Sequence, residues 1–190
     1  MRRFLLLGLA LTAGCLGPRQ DHSAFFLLSS LPVVAEGSPV AVVLGLGPIM
    51  LPGYLDRPQI VIRLSENEIA LTASDRWAEP LRDNMSRALK ENLSKLLTTN
   101  SFVDYPWYES AAPDYGIAVE VRRFEADPSG NVVLDAIWHL TQSGTVIDTQ
   151  TSVIVDSAGG PERTATVAAQ SRAWAELSRE IAAAIRRAQG

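Results

Sequence analysis

Residues 115–142 read YGIAVEVRRFEADPSGNVVLDAIWHLTQ, and their alternation decides the fold. Tyr115, Ile117, Val119 and Val121 alternate with Gly116, Ala118, Glu120 and Arg122. That period of two marks a strand with one buried face. Val132, Leu134, Ala136, Trp138 and Leu140 share one face of a second strand. Between them stands Asp127-Pro128-Ser129-Gly130, in which proline presets one backbone angle and glycine supplies a positive one. The segment is therefore an antiparallel hairpin. A second turn at Ser143-Gly144 leads into a Thr/Val/Ile-rich strand running to Val155, and the SAGGP stretch at 157–161 ends it.

Both flanks of this meander read as helices. Downstream, residues 164–187 carry Val167, Trp174, Leu177, Ile181 and Ile185 as an apolar stripe. Arg186 and Arg187 suit the negative end of that helix. Upstream, Leu81, Met85, Leu89, Leu93 and Leu97 recur at helical spacing, and the pattern fades near 98–100. Asp75 is its expected N-cap, with Pro80 in the opening turns. Earlier still, residues 24–29, 40–46, 59–63 and 67–72 read as short strands. Prolines and glycines make 31–39 a loop, and the run 47–57 is expected not to continue the strand before it. The order is strands, helix, three strands, helix. It predicts an α+β fold: a largely antiparallel sheet of five to seven strands with two helices packed on one face. One domain is expected, over 24–190.

The first 23 residues read differently. Arg2 and Arg3 precede the apolar run FLLLGLALTA at 4–13. A run of about ten residues is the length of a signal-peptide core, about half of what crosses a bilayer. The chain has a single cysteine, Cys15, where that run ends. Leu11-Thr12-Ala13-Gly14-Cys15 resembles the lipobox of bacterial lipoproteins. Small residues admit a peptidase, and the thiol is the nucleophile that takes a lipid. The resemblance implies a cleaved signal peptide over 1–14, a Cys15 carrying acyl chains, and a lipidated tether over 15–23. Two or three chains hold a protein to a bilayer firmly, where one does not. Leu16, rather than the aspartate of lipoproteins retained at the inner membrane, implies the outer membrane. With Cys15 acylated no thiol remains for disulfides or thiolate-bound metal. The formal net charge of −4 gives no electrostatic reason for a nucleic-acid partner.

Signs of catalysis are absent. His22 falls in the tether, and His139 sits on a strand about 13 Å from Asp135, too far for a base and its orienting group. No GxSxG, HExxH, Walker A or GxGxxG motif occurs. Asp104, Glu109, Asp114, Glu120, Glu125 and Asp127 lie in or near turns and read as solvated. No cofactor, no metal site and no enzymatic activity are expected.

Three segments stand apart. Leu51-Pro52-Gly53-Tyr54-Leu55-Asp56-Arg57-Pro58-Gln59-Ile60 is a loop with large apolar side chains, which either folds back on the core or meets a partner. Arg76-Trp77-Ala78-Glu79-Pro80-Leu81 stands at the helix start, and Val103-Asp104-Tyr105-Pro106-Trp107 follows the helix. With the Phe25-Phe26-Leu27-Leu28 strand and the lipobox at Cys15, these resemble the PqiC-type, or ABC-transport auxiliary, lipoproteins over nearly the whole mature chain. Phe25-Phe26 stands where that family commonly has a tyrosine. The resemblance implies a periplasm-facing, non-enzymatic docking subunit of a system with an MCE-domain protein that moves lipid between membranes. A homo-oligomeric ring would suit such docking. Our candidate partner contact is Leu51, Tyr54, Leu55, Asp56, Arg57 and Gln59, with Arg76, Trp77, Glu79, Tyr105 and Trp107 as the family-motif positions. A stand-alone lipid- or small-ligand-binding lipoprotein is the alternative, and an envelope hydrolase ranks after it.

Overall fold

The computed structural model describes residues 23–32, 39–107 and 112–190. Cys15, the signal segment, His22, Glu109 and most of the 31–39 loop lie outside the described residues. The elements run β1 (Ala24–Phe26), β2 (Leu44–Met50), β3 (Gln59–Arg63), β4 (Ile69–Trp77), α1 (Leu81–Leu97), β5 (Phe102–Asp104), β6 (Tyr115–Ala126), β7 (Asn131–Gln142), β8 (Thr145–Ser157) and α2 (Arg163–Ala188).

The expected meander is present: β6–β7 and β7–β8 pair antiparallel along nearly their whole lengths. The sheet around it departs from expectation. Among the described residues it has eight strands and is mixed rather than largely antiparallel. β2 runs parallel to both β5 and β6, β3 meets β6 parallel at Ile62–Ala126, and β1 runs parallel to β4. Among the described residues only β3–β4 adds a further antiparallel pair. The reason is connectivity. β2 returns to the sheet through α1 and β5 rather than through a tight turn, and a crossover delivers parallel neighbours. Four strands follow α1 where three were expected, because the three-residue β5 is too short to show a period.

Two local expectations are corrected. β2 continues through Pro48 to Met50, although the Pro/Gly run was expected to stop it. Its pairing with β6 slips between Leu46 and Ile49, so Pro48 sits in the irregularity, where a missing N–H costs the ladder nothing. Asp75 is no N-cap. It pairs with Ala24 in the sheet, β4 runs on to Trp77, and α1 opens after Pro80 without a side-chain cap. Asp75 instead accepts from Arg163 at 3.0 Å, tying β4 to the start of α2.

The two helices pack on each other, with α2 across β6, β7 and β8 and α1 against β2. Met85, Leu89 and Leu93 from α1 meet Trp174, Leu177 and Ile181 from α2 in one core. The Trp174 Nε1–H donates to Met85 O at 3.0 Å, and its ring meets Phe124 edge-on. Fully buried Asn84 and Asn92 interrupt the apolar face of α1. Asn84 Oδ1 accepts from Leu28 N at 3.0 Å and Asn92 Oδ1 from Leu31 N at 2.8 Å. The chain leaving β1 has no ladder partner there, and side chains of the helices accept from the Leu28, Ser29 and Leu31 amides instead.

Candidate functional site

The loop of residues 51–58 fills a gap in the sheet. β2 and β3 both lie along one edge of β6, β2 against residues 115–120 and β3 against Ala126. The β6 backbone between them would be left open at that edge. The Tyr54 Oη–H lies 3.1 Å from Arg122 O and 3.0 Å from Glu125 Oε2. Glu125, read from the sequence as solvated, is a buried carboxylate. The irregularity between Val121 and Arg123 in β6 shifts the alternation, so that Phe124 and Ala126 join the core and Glu125 turns to the other face, where Tyr54 and Arg63 cover it. It accepts from Arg63 Nε, from Arg123 Nε at 3.1 Å and from its own neighbour Phe124 N at 2.9 Å. Arg63 also lies over the Tyr54 ring, 5.7 Å from its centre.

The electrostatics are consistent with that geometry. Burial alone would raise the Glu125 carboxyl, but its hydrogen bonds from Arg63, Phe124 N–H and Arg123 outweigh it and hold the pKa below the ordinary value. Burial, and then the Glu125 charge, push the Tyr54 phenol up to about 12. Glu125 raises Arg63 in turn. A carboxylate with every partner already inside the protein is a structural tie.

The structure therefore separates the candidate contact residues. Leu55 is 2% exposed and belongs to the core, and Leu51 and Tyr54 pack against that core. Asp56 is exposed and forms an ion pair with Arg82 of α1 at 2.7 Å. Arg57 is half-buried with its Nε unpartnered, and Gln59 lies opposite Arg76 in the β3–β4 ladder. Of the motif positions, Trp77 is buried, Arg76 donates to Ala73 O at 3.2 Å, and Glu79 pairs with Arg87 at 3.0 Å.

Trp107 rests on two glycines. Gly45 and Gly116 are partners across β2 and β6. A Cβ on Gly45 would stand 3.0 Å from the Trp107 ring, and one on Gly116 would stand 3.1 Å from it. Tyr105 meets Trp107 edge-on at 5.3 Å, is 55% exposed and donates its backbone N–H to Leu46 O. The sequence reading placed Gly116 on the strand's second face by alternation and gave neither glycine this role.

Two shallow depressions border this region. The larger, about 650 Å³, lies between the end of β2 and the start of α1, with Met50, Leu51, Asp83 and Tyr105 in its wall. The smaller, about 310 Å³, is walled by Arg57, Pro58, Trp77 and Glu79. Arg82 lines the first and Asp56 the second, so their ion pair stands between the two. All three motif segments thus converge on one surface, which no single segment revealed. Among the described residues no group of three metal-ligating side chains gathers, and no helix is long and apolar enough to cross a membrane.

Residues 26–182 match the family described as the ABC-type transport auxiliary lipoprotein component. The chain belongs to that family. The PqiC-type resemblance of the motif segments is thereby borne out. An auxiliary lipoprotein is by description a membrane-anchored accessory of a transport system. The solved structures agree on the fold. An uncharacterized protein is similar at 22% identity and a TM-score of 0.71, over 86% of this chain and 98% of its own. The XCC0632 protein of Xanthomonas campestris is similar at 18% identity and a TM-score of 0.72, over 84% of this chain and 93% of its own. No curated protein matches the chain.

Proposed function

We propose that this auxiliary lipoprotein is a non-catalytic docking subunit, held to the periplasmic face of the outer membrane by acyl chains on Cys15. Its partner is the MCE-domain protein of a lipid transporter, or a ring of such proteins met by a ring of these chains. The supporting observation is the convergence of three separate motif segments on the surface around the Asp56–Arg82 pair. That surface pairs exposed Tyr105 and Met50 with ion-paired groups at its rim, the composition of a protein-binding patch. Its depressions are open, and the space between sheet and helices is filled by core side chains. A carrier acting alone would need an enclosed apolar cavity for its lipid.

Tyr54 and Leu55 support the surface from beneath, so the contact falls on Asp56, Arg57 and Tyr105. Asp56→Lys and Tyr105→Ala test it. The Asp56–Arg82 pair is exposed on both sides, and such pairs contribute about 0–1 kcal/mol to stability, so the variants should fold. Both should lose co-purification with the MCE protein after crosslinking in cells. Full retention by both would remove this surface from the proposal.

A further inference from the structure

β1 is the edge strand nearest the proposed anchor, and it carries an apolar pair turned to solvent. Phe25 is 65% exposed and Leu27 is 49% exposed, while Phe26 and Leu28 between and after them point inward. Phe25 lies opposite Arg76 in the parallel β1–β4 ladder, so the two share a face. Among the described residues Arg76 donates to the Ala73 carbonyl rather than to a carboxylate, and its Nη1 has no partner. Exposing two large apolar side chains beside a cation costs free energy unless something covers them.

We propose that Phe25 and Leu27, flanked by Arg76, insert into the headgroup region of the membrane to which Cys15 is fixed. The proposal rests on acylation of Cys15. Chain length favours the bilayer over another occupant. Eight peptide units separate Cys15 from Ser23, and fully extended they reach at most about 27 Å. A domain of this size is about 40 Å across. The domain therefore cannot stand clear of the bilayer with β1 facing away from it. Short aromatic and aliphatic side chains with a neighbouring arginine match an interface of acyl chains below phosphate groups. The contact would fix which face of the domain points away from the membrane.

The test uses full-length, lipidated protein in vesicles of phosphatidylethanolamine and phosphatidylglycerol, with part of the lipid brominated near the headgroup. A Phe25→Trp variant places a reporter in the patch, and Val153→Trp places one on β8, at the opposite edge of the sheet. Flotation and palmitate incorporation report the anchor separately. Among protein that floats, the Phe25→Trp variant should lose about half or more of its added emission to bromine, and Val153→Trp almost none. Equal quenching of the two, in protein that floats, overturns the insertion and leaves the anchor standing. Unquenched but blue-shifted emission that grows with protein density assigns the patch to a second copy and also overturns it. Protein that neither floats nor takes up palmitate refutes the anchor itself, and with it the proposal.

Discussion

Replacing Glu125 with alanine withdraws the acceptor that four donors share: Tyr54 Oη, Arg63 Nε, Arg123 Nε and Phe124 N. Breaking a buried ion pair from one side costs about 3–5 kcal/mol, because the partner charges are left behind. Arg123 is 40% exposed and can turn to water, whereas Arg63 is 21% exposed. The lower end, about 3 kcal/mol, is therefore expected. For a domain of this length that is a fall of about 6–12 °C in Tm. Glu125→Gln keeps the shape but loses the charge, and should cost about 1–2 kcal/mol. The pH dependence supplies a second readout. The folded pKa of Glu125 lies below its ordinary value of 4.5. Its stabilisation is complete above that value and is lost as pH falls through the lower folded pKa. Urea denaturation between pH 3 and 7 should thus show an acid loss in the parent that is flatter in Glu125→Gln. An alanine variant within about 0.5 kcal/mol of the parent, with an unchanged acid limb, would refute the reading of Glu125 as the tie that seats the loop.

Four further outcomes are expected. The Tyr54 phenol rises from 10.0 to about 12 on folding, so its contribution is whole below pH 10 and lost as pH climbs towards 12; Tyr54→Phe should flatten that alkaline loss in the same denaturation series. Leu55→Ala should cost about 2–5 kcal/mol as a core truncation, measured by chemical denaturation, which a solvent-facing leucine would not. Gly116→Ala would set a Cβ 2.5 Å from Thr141 Oγ1 and 3.1 Å from the Trp107 ring; about 1–3 kcal/mol should be lost, with a shift in Trp107 emission. Asn84→Ala should release Leu28 N–H, lower stability by about 1–3 kcal/mol and speed hydrogen exchange at Leu28.

How much of this was legible in the linear chain differs by element. The meander and both helices were readable because each carries its own period: two for β6 and β7, and three to four for α1 and α2. β5 was not, since three residues define no period. The strand through Pro48 was missed because a local rule against proline holds only while the ladder stays in register. Asp75 has the side chain of a cap, and only its pairing with Ala24 makes it a strand residue. The motif segments were visible as unusual strings, but their convergence was not, because residues 56 and 82 meet only after α1 has packed.

The chain by itself determined which segments bury a face, since burying apolar surface needs only the spacing of side chains along a helix or strand. It also determined the thiol and the apolar run on which the proposed anchoring rests. Tertiary structure alone decided the parallel pairings, the burial of Glu125 and the seat of Tyr54. Each depends on which backbone edge is left unpaired once distant strands have docked, and hydrogen-bond satisfaction across such distances leaves no mark in local sequence.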